Sequence, residues 1–438
     1  MITRVHIEGY KSLSYLEVRP RPLTVLFGPN AVGKSNFLDA LQLLSRMVTA
    51  RTLKEAFEGP CRGTPLEAFT FGPEGMAGHI KSEALHFTFE VDVELSESTV
   101  LTVERQIADM RKGNGGGEVK VGSYVKERIL RYRLQVEVLP RSGILRVQDE
   151  YLAALKSGGE LKTSRNPFLE KKDGRLSLRL EGQAHPTYHE VGLDHTIVSR
   201  PLYPPHYPHI SALRQELAGW FCFYFEPRER MRAANPVKEV RHIGLMGEDL
   251  ASFLNTLRTL EPVQFRAVEK AIHALIPRVE GIEVEVNAVG EVELRLKEGG
   301  IAMPARLVSE GTLRMLGLLA VGGAKDPPTL IAFEEPENGI HPRRVELIAR
   351  LLESRTHAGN SQFIVTTHSP ILVDYLPNDS LFVCKRIGTQ TSIEAFDSKQ
   401  EQPFGELFRR QEIDGHLTDT EEEPTPVSEK IRRGDFDA

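Results

Sequence analysis

Residues 28–35 match the pattern G-x-x-x-x-G-K-S, a combination suited to holding phosphate. Glycines let consecutive backbone N–H groups turn toward a phosphate, Lys34 adds charge for the β- and γ-phosphates, and the Ser35 hydroxyl can bind Mg²⁺. An apolar run, Pro22–Phe27, precedes this segment, and apolar residues at helical spacing follow it. Strand, loop and helix in this order predict a nucleotide site that uses Mg²⁺.

Two acids follow a second apolar run and form another candidate site. Glu334 and Glu335 come directly after Thr329–Phe333, at the carboxyl end of a predicted buried strand, where such sheets bind ligands. One carboxylate can hold Mg²⁺ through water, and the next can orient or deprotonate an attacking water. Taken alone, the pair could be solvated acids at a strand end. Together with the phosphate loop, the pair favours the catalytic interpretation.

Two further motifs are less specific by themselves. His368 follows the apolar strand Gln362–Thr366 and can reach a γ-phosphate, although a lone histidine at a strand end is usually structural. Its position after the acidic strand favours a functional role. Ser309 and Gly311 precede an apolar helix, where serine and glycine also suit simple N-capping.

Changes of periodicity predict the elements that position these residues. Alternation with period two over residues 85–95, 129–139 and 176–180 predicts an antiparallel sheet, with turns near 113–117 and 157–159. Residues 185–209 read as a loop, and helical patterns occupy about 210–276. The strands before Glu334 and His368, with a helix over about 342–354 between them, predict a parallel βαβ unit.

These patterns divide the chain into five predicted regions. They are an ATPase lobe with the phosphate loop (1–83), an inserted antiparallel β subdomain (84–205), a helical subdomain (206–280), a second ATPase lobe (281–397) and an acidic tail expected to be disordered (398–438).

Composition limits the class of protein. Of 438 residues, 40% are hydrophobic and 26% are charged, which is typical of a globular protein and excludes a fibrous or wholly disordered chain. No segment approaches the roughly 20 apolar residues of a membrane helix, and the first residues lack a signal peptide's apolar core. Three scattered cysteines indicate a reduced, cytoplasmic protein. The net charge of −6 equals that of residues 412–423, which hold six acids and no lysine or arginine.

Taken in order, the motifs resemble the nucleotide-binding domains of the ABC/SMC/RecF superfamily. More narrowly, they look like the prokaryotic AAA-type ATPases grouped with the OLD-family and retron-associated ATPases. The segments that carry the resemblance are 9–13, 28–36, 309–312, 334–342 and 366–370. The resemblance implies an α/β fold: an ABC-type P-loop ATPase head with a mixed sheet, plus inserted antiparallel β and helical subdomains.

The resemblance also implies ATP and Mg²⁺ as cofactors and a role for each matched residue. Catalytic residues would be Glu335, the general base, and His368, the switch histidine; nucleotide-binding residues Asn30, Gly33, Lys34, Ser35, Asn36, Ser309 and Gly311; metal-binding residues Ser35 and Glu334. Ser309 and Gly311 would contact ATP bound to the opposite protomer of a head-to-head dimer. This sequence departs from the pattern in having Glu334 where aspartate is commoner, a looser signature at 309–312, and no evident glutamine loop.

The function implied is an Mg²⁺-dependent ATPase that works as a homodimer or higher homo-oligomer and controls a separately encoded effector, such as a nuclease, in prokaryotic anti-phage defence. Too few residues follow His368 for the Toprim nuclease domain of OLD proteins. One alternative is a RecF- or SMC-like DNA repair ATPase, although no long heptad arm is present. Another is a nucleotide-sensing scaffold with little turnover; a transporter ATPase fits least, because its signature is missing.

Three other features have a structural and a functional interpretation. Five histidines between 185 and 209 could bind zinc, but their irregular spacing and the absence of nearby cysteine favour a loop. The run Trp220–Phe225 could stack on bases but is more typical of a core. Basic residues could bind nucleic acid or a partner, or form a solvated face. They are Arg105, Arg111, Lys112, Lys120, Lys126, Arg128, Arg131, Arg133, Arg228, Arg230 and Arg232.

Overall fold

The structure is a computed structural model that describes residues 1–59, 62–112, 124–183, 185–321, 328–359 and 361–396. The predicted turn at 113–117 and the predicted acidic tail lie outside the described residues.

Eighteen strands and ten α-helices occupy the described ranges. The strands are β1 (Ile2–Tyr10), β2 (Leu13–Val18), β3 (Leu23–Phe27), β4 (Leu85–Glu94), β5 (Ile129–Leu139), β6 (Ile144–Ala154), β7 (Leu169–Lys172), β8 (Arg175–Leu178), β9 (Thr187–Glu190), β10 (Trp220–Phe223), β11 (Asn235–Pro236), β12 (Val279–Val286), β13 (Glu291–Glu298), β14 (Ile301–Pro304), β15 (Leu330–Glu334), β16 (Gln362–Thr367), β17 (Leu381–Ile387) and β18 (Gln390–Ala395). The helices are α1 (Lys34–Met47), α2 (Leu53–Phe57), α3 (Gly75–Lys81), α4 (Glu97–Lys112), α5 (Pro208–Ala218), α6 (Leu250–Leu260), α7 (Pro262–Leu275), α8 (Glu310–Val321), α9 (Val345–His357) and α10 (Pro370–Asp374).

A six-stranded sheet in the order β10-β15-β16-β3-β17-β18 carries the phosphate loop. Its first five strands are parallel, and β18 pairs antiparallel with β17, so the sheet is mixed, as predicted. The predicted βαβ unit is confirmed, because α9 connects the parallel neighbours β15 and β16. In this register Glu334 lies opposite Thr366, and Thr367 lies opposite Phe27. The loops after β3, β15 and β16 therefore emerge side by side.

Two hydrophobic cores cover the two faces of this sheet. In β3, Leu26 belongs to one core, while Leu23, Val25 and Phe27 belong to the other. All five residues of β3 are buried. A strand covered on both faces has no solvent side for polar residues, which explains its uninterrupted apolar run.

An eight-stranded antiparallel sheet has the order β2-β1-β4-β5-β6-β7-β8-β9. Its strands alternate between buried and partly exposed residues, as expected when one face packs against a core. The predicted strand over residues 129–139 is confirmed as β5. The sheet also includes β1 and β2 from the start of the chain, so the inserted strands extend a sheet that the opening residues begin. The limits of the predicted domains remain a prediction.

The segment predicted as helical from about 210 to 276 contains α5, α6 and α7, but the prediction is wrong at β10. Those four residues pair in parallel with β15 and extend the mixed sheet. The segment 185–209, predicted as a loop, contains β9 and the start of α5. Strands β11 to β14 form a further small antiparallel sheet beside α6 and α7. Within the described ranges, no helix combines the length and apolar character needed to cross a membrane.

Candidate functional site

The phosphate loop packs closely against the hairpin of β17 and β18. Gly28 and Gly33 have φ angles of 149° and 103°, in the region that favours glycine. A Cβ on Gly28 would lie 2.3 Å from the carbonyl oxygen of Cys384, and one on Gly33 would lie 2.1 Å from Oγ1 of Thr391. Both glycines are therefore fixed by backbone conformation and by a close neighbour.

The backbone amides of residues 30–33 donate to no protein acceptor among the described residues. These amides precede the N-terminus of α1, where unsatisfied N–H groups and the helix dipole favour an anion. Ala31 has a φ of 65°, which is rare for a residue with a side chain and turns the loop sharply. The loop therefore offers free donors in the arrangement that a polyphosphate requires.

Lys34 is buried and directs its ammonium group into the same loop. Nζ donates to the carbonyl oxygens of Gly28 and Pro29, at 2.8 and 2.7 Å. Burial lowers the pKa of Lys34 below its usual value, because the charged form loses solvation. A phosphate in the loop would supply the compensating negative charge that carbonyl dipoles provide only in part.

Ser35 and Glu334 meet at the start of α1. The Ser35 hydroxyl donates to Oε1 of Glu334, and the guanidinium of Arg62 pairs with Oε2. Mg²⁺ in nucleotide sites takes few protein ligands and completes its shell with phosphate and water. A hydroxyl and a carboxylate beside the free amides of the loop fit that donor set.

Arg62 is a site residue that the sequence analysis missed. Arg62 lies after α1 and α2 in the chain and belongs to none of the motifs, so no pattern in the sequence pointed to it. Its guanidinium lies 6.0 Å from the ring of Tyr224 and covers the carboxylate that would bind metal. Glu334 is therefore neutralised by a cation from its own chain.

Glu335 has an unusual backbone and two side-chain partners. Its φ of 49° is left-handed, a strained conformation for a residue with a side chain. Nδ1 of His368 lies 2.9 Å from Oε1 of Glu335, and Nδ2 of Asn338 donates to Oε2. The structure thus brings the two predicted catalytic residues into contact.

Glu337 lies in the same loop but is buried. Its Oε1 accepts a hydrogen bond from the Thr367 hydroxyl, while Oε2 has no hydrogen-bond partner in the described part of the chain. Burial raises the pKa of Glu337, and the bond from Thr367 acts in the opposite direction. Sequence analysis assigned it no role, since its burial depends on the packing of the loop against β16.

Ser309 and Gly311 have contacts within their own chain. The Ser309 hydroxyl accepts from the backbone amide of Thr312, 3.2 Å away, and so caps α8. A Cβ on Gly311 would lie 2.6 Å from the carbonyl oxygen of Gly339. The signature segment is therefore packed against the loop that follows Glu335. Among the described residues, no hydrogen bond joins Ser309 or Gly311 to residues 28–35.

The two predicted asparagines have different surroundings. Asn36 donates through Nδ2 to the Ser12 hydroxyl at 2.7 Å, which anchors α1 to the turn between β1 and β2. Asn30 is exposed at the tip of the phosphate loop. Asn30 is thus placed to meet a ligand, whereas Asn36 supports the loop from behind.

The histidine-rich segment forms no metal site. Across the described ranges, no group of three or more metal-binding side chains is close enough to hold an ion. Buried His209 instead places Nδ1 at 2.7 Å from Glu181 and accepts through Nε2 from the amide of Glu127, at 2.9 Å. His209 thus links the start of α5 to the segments that carry Glu181 and Glu127.

Several of the aromatic and basic candidates are buried in the cores or form ion pairs within the protein. Trp220, Phe223 and Phe225 are buried in the cores. Arg131 pairs with Asp92 and Arg133 with Asp149 on the antiparallel sheet. The side chain of Lys112 and all of Lys120 lie outside the described residues. Arg131 and Arg133 thus form ion pairs within the sheet, and Arg228 pairs with Glu310 outside it.

Comparison with known proteins gives one family. Residues 23–374 match the family described as "AAA domain, putative AbiEii toxin, Type IV TA system". No curated protein matches the chain.

Several solved structures show a weak overall similarity. They are an SmcHead bound to the C-winged helix domain of ScpA (12% identity, 90% of this chain and 97% of that chain covered, TM-score 0.47), an Smc head domain with an extended coiled coil bound to the C-terminal domain of ScpA, from Pyrococcus furiosus (12%, 93% and 99%, TM-score 0.46), and the SMC head domain from Thermotoga maritima (15%, 90% and 99%, TM-score 0.40). With TM-scores below 0.5, these similarities assign neither a fold nor a function to the chain.

The family match spans most of the chain and includes the phosphate loop, the acidic strand and His368. It agrees with the mixed sheet and with the position of the loop after a buried parallel strand. The predicted AAA-type family is confirmed by this match, while ATP hydrolysis, the ABC/SMC-like placement and the narrower placement with OLD-family and retron-associated ATPases stay predictions. The chain belongs to this AAA-domain family.

Proposed function

We propose that the protein is an Mg²⁺-dependent ATPase that acts as a head-to-head dimer and controls a separately encoded effector in prokaryotic anti-phage defence. One observation carries the enzymatic part. The observation is that the predicted site residues follow three neighbouring parallel strands and meet at one edge of the sheet. They are Lys34 and Ser35 after β3, Glu334 and Glu335 at the end of β15, and His368 after β16.

Each group has a separate task in this proposal. Lys34 and the amides of residues 30–33 bind the phosphates, and Ser35 with Glu334 holds the metal. When bound, Mg·ATP supplies the bond to be cleaved and a positive charge near the departing phosphate. Glu335 would accept a proton from the attacking water, because its carboxylate follows the metal-site residue Glu334 at the carboxyl end of β15.

His368 and Asn338 position that carboxylate. Each oxygen of the Glu335 carboxylate has one side-chain partner, so the orientation of the carboxylate is restricted. Glu334, by contrast, faces Arg62. The two adjacent carboxylates thus have the different environments that a metal ligand and a general base need.

The dimer is inferred from the signature segment. Within the chain, Ser309 caps α8 and Gly311 packs on Gly339, and neither reaches the phosphate loop through a hydrogen bond between described residues. A second copy facing the first could place the N-terminus of α8 against the γ-phosphate. The contact at Gly339 would then connect that interface to the loop carrying Glu335.

Control of an effector rests on the family resemblance and on no contact in this chain. The DNA-repair alternative has less support, because Arg131, Arg133 and Arg146 of the antiparallel sheet are paired with acids. The scaffold alternative shares the nucleotide site and differs only in turnover. Hydrolysis is therefore the property to test.

Glu335→Gln tests the proposal, since it keeps the shape of the side chain and removes most of its basicity. We expect ATP hydrolysis to fall by roughly 10²–10⁴-fold, the usual contribution of a general base, with ATP affinity retained. Steady-state phosphate release and equilibrium ATP binding measure the two quantities. Glu83→Gln, an exposed residue outside the site, is the matched control for loss of a carboxylate.

Hydrolysis by Glu335→Gln at the wild-type rate would remove Glu335 from the mechanism. A wild-type protein that binds ATP and never hydrolyses it, with DNA and candidate partner proteins added in turn, would favour the nucleotide-sensing scaffold.

A further inference from the structure

A cavity of about 320 Å³ lies at the opposite end of α1 from the phosphate loop. Helix α5 forms one wall with Ser211 and Arg214, the segment after Val198 forms another with Arg200 and Leu202, and Thr49 closes the end beside α1. None of these residues belongs to the ATP site. The volume is at the small end of the range for ligand pockets.

The charge in this cavity has a single sign. Arg200 and Arg214 line it, and no carboxylate does. Neither arginine forms an ion pair with a described residue; Arg200 has a 3.3 Å contact between Nη1 and Nδ1 of His189. Burial and the neighbouring Arg200 lower the pKa of His189, which keeps that imidazole neutral.

Several arginines of the neighbouring antiparallel sheet and its loops are paired with carboxylates, unlike Arg200 and Arg214. Arg131 makes two bonds to Asp92, at 2.6 and 2.7 Å, Arg146 pairs with Glu137, and Arg165 pairs with Glu181 at 2.6 Å. Two guanidinium groups that share a concave surface without an acid repel each other and gain most from an anion.

The remaining lining suits an organic phosphate better than a bare ion. The Ser211 hydroxyl and the Gln106 amide have no hydrogen-bond partner within the described ranges and can bind polar substituents. Ile210 adds apolar surface beside Arg214 on the α5 wall, and Leu202 adds it beside Arg200 on the other wall. A cavity of about 320 Å³ admits one nucleotide and is too small for a folded polymer.

We propose that this cavity binds a small phosphate monoester of nucleoside monophosphate size, with Arg200 and Arg214 on the phosphate. Guanidinium groups bind phosphate through paired N–H donors, and Leu202 and Ile210 pack against the organic part. The site is separate from the ATP site and would bind its ligand whether or not the protein hydrolyses ATP.

Isothermal titration calorimetry on the full-length Lys34→Ala protein tests this, because that background removes the phosphate-loop lysine. The probes are inorganic phosphate and, separately, AMP, GMP, CMP and UMP. We expect one nucleoside monophosphate to bind at one site more tightly than inorganic phosphate. Adding Arg200→Ala or Arg214→Ala should weaken binding at least about tenfold each, the effect of losing a charge-assisted hydrogen bond.

Arg175→Ala is the matched control, since Arg175 is exposed on β8 and does not line the cavity. Its affinity should equal that of the background. Thermal unfolding checks that each variant folds, and Arg200→Lys with Arg214→Lys replaces the alanine pair if the latter does not fold. The lysines keep the charge but lose the paired donors, so affinity should still fall.

Three results would overturn the proposal. One is no detectable binding of inorganic phosphate or of any of the four monophosphates at ligand concentrations up to about 10 mM. Another is binding that is equal in the background and in the Arg200 and Arg214 variants. Binding of inorganic phosphate alone would refute the nucleotide-sized ligand.

Discussion

The outer face of the antiparallel sheet and the carboxyl edge of the mixed sheet are both rich in charged side chains, but the charges have different partners. On the antiparallel sheet, Arg131 and Arg133 meet Asp92 and Asp149 directly. At the carboxyl edge, Lys34 is held by carbonyl oxygens and Glu335 by His368 and Asn338.

The difference distinguishes charges that are neutralised by a partner in the fold from charges that are available to a ligand. An arginine paired with a carboxylate has its field neutralised and adds little beyond local order. A lysine or carboxylate held by dipoles keeps most of its charge for a ligand. Arg62 and Glu334 are the exception at the carboxyl edge, and their pairing marks the carboxylate that a metal would have to share.

The largest effect expected concerns whether the carboxyl edge is complete in one chain. Lys34→Ala and Ser309→Arg should each abolish ATP hydrolysis, by loss of phosphate charge and by blocking the facing protomer. Mixing the two inactive proteins should restore part of the activity, because a mixed dimer contains one site built from intact halves. Steady-state phosphate release measures the recovery.

Lack of recovery, with heterodimers demonstrated by tagged co-purification, would mean that each chain completes its own site. Each variant mixed with itself is the control.

The next effect concerns the support beneath the phosphate loop. Gly33→Ala should destabilise the fold by about 3 kcal/mol, combining roughly 1–2 kcal/mol for a left-handed alanine with roughly 1–3 kcal/mol for the clash with Thr391. Gly143 has a φ of 67°, and a Cβ at this position would have no atom within 4 Å. Gly143→Ala therefore measures the cost of a left-handed alanine without a clash. Urea unfolding compares the two variants. Equal losses would show that Thr391 gives way.

A pH effect of similar or smaller size distinguishes the buried side of the antiparallel sheet from its outer face. Burial raises the pKa of Glu150 from 4.5 to about 7, although the amides of Ile197 and Val198 and the Tyr132 hydroxyl act in the opposite direction. Protonated Glu150 is therefore favoured by folding. Between about pH 4.5 and 7 the folded state holds a proton that the unfolded state has lost, so stability falls as pH rises.

Glu150→Gln removes this titration. The stability of wild type relative to Glu150→Gln should be greatest near pH 4.5 and fall by roughly 3 kcal/mol up to pH 7, at about 1.4 kcal/mol for each pKa unit. Denaturant unfolding at several pH values gives this difference. Glu160→Gln, on an exposed turn, should show no such slope. A flat difference for Glu150→Gln would place the pKa of Glu150 near its ordinary value.

The smallest effect is expected on the outer face of the antiparallel sheet. Arg133 and Asp149 lie 2.8 Å apart, and the arginine side chain is 40% exposed. A double-mutant cycle with Arg133→Ala and Asp149→Ala should give a coupling of about 0.2–1 kcal/mol, which salt reduces. A coupling above about 2 kcal/mol would contradict the view that ion pairs on the antiparallel sheet add little to stability.

Local sequence determined much of the ATP site. The strand β3, the loop over residues 28–35 and the start of α1 follow from neighbouring residues, as does β5, whose alternation gives its limits. The parallel βαβ unit predicted around Glu334 and His368 already implies that they follow strands ending at one edge of the sheet, because the carboxyl ends of parallel strands share an edge.

Tertiary structure decided the rest, and the reason is distance along the chain. Arg62 reaches Glu334 across 272 residues. Strand β10 lies in a segment whose period is helical, and it becomes a strand because β15 offers a free edge. The cavity around Arg200 and Arg214 depends on where α5 packs against the end of α1. Periodicity describes which face of an element is buried; which distant residue it meets is settled only when the elements pack.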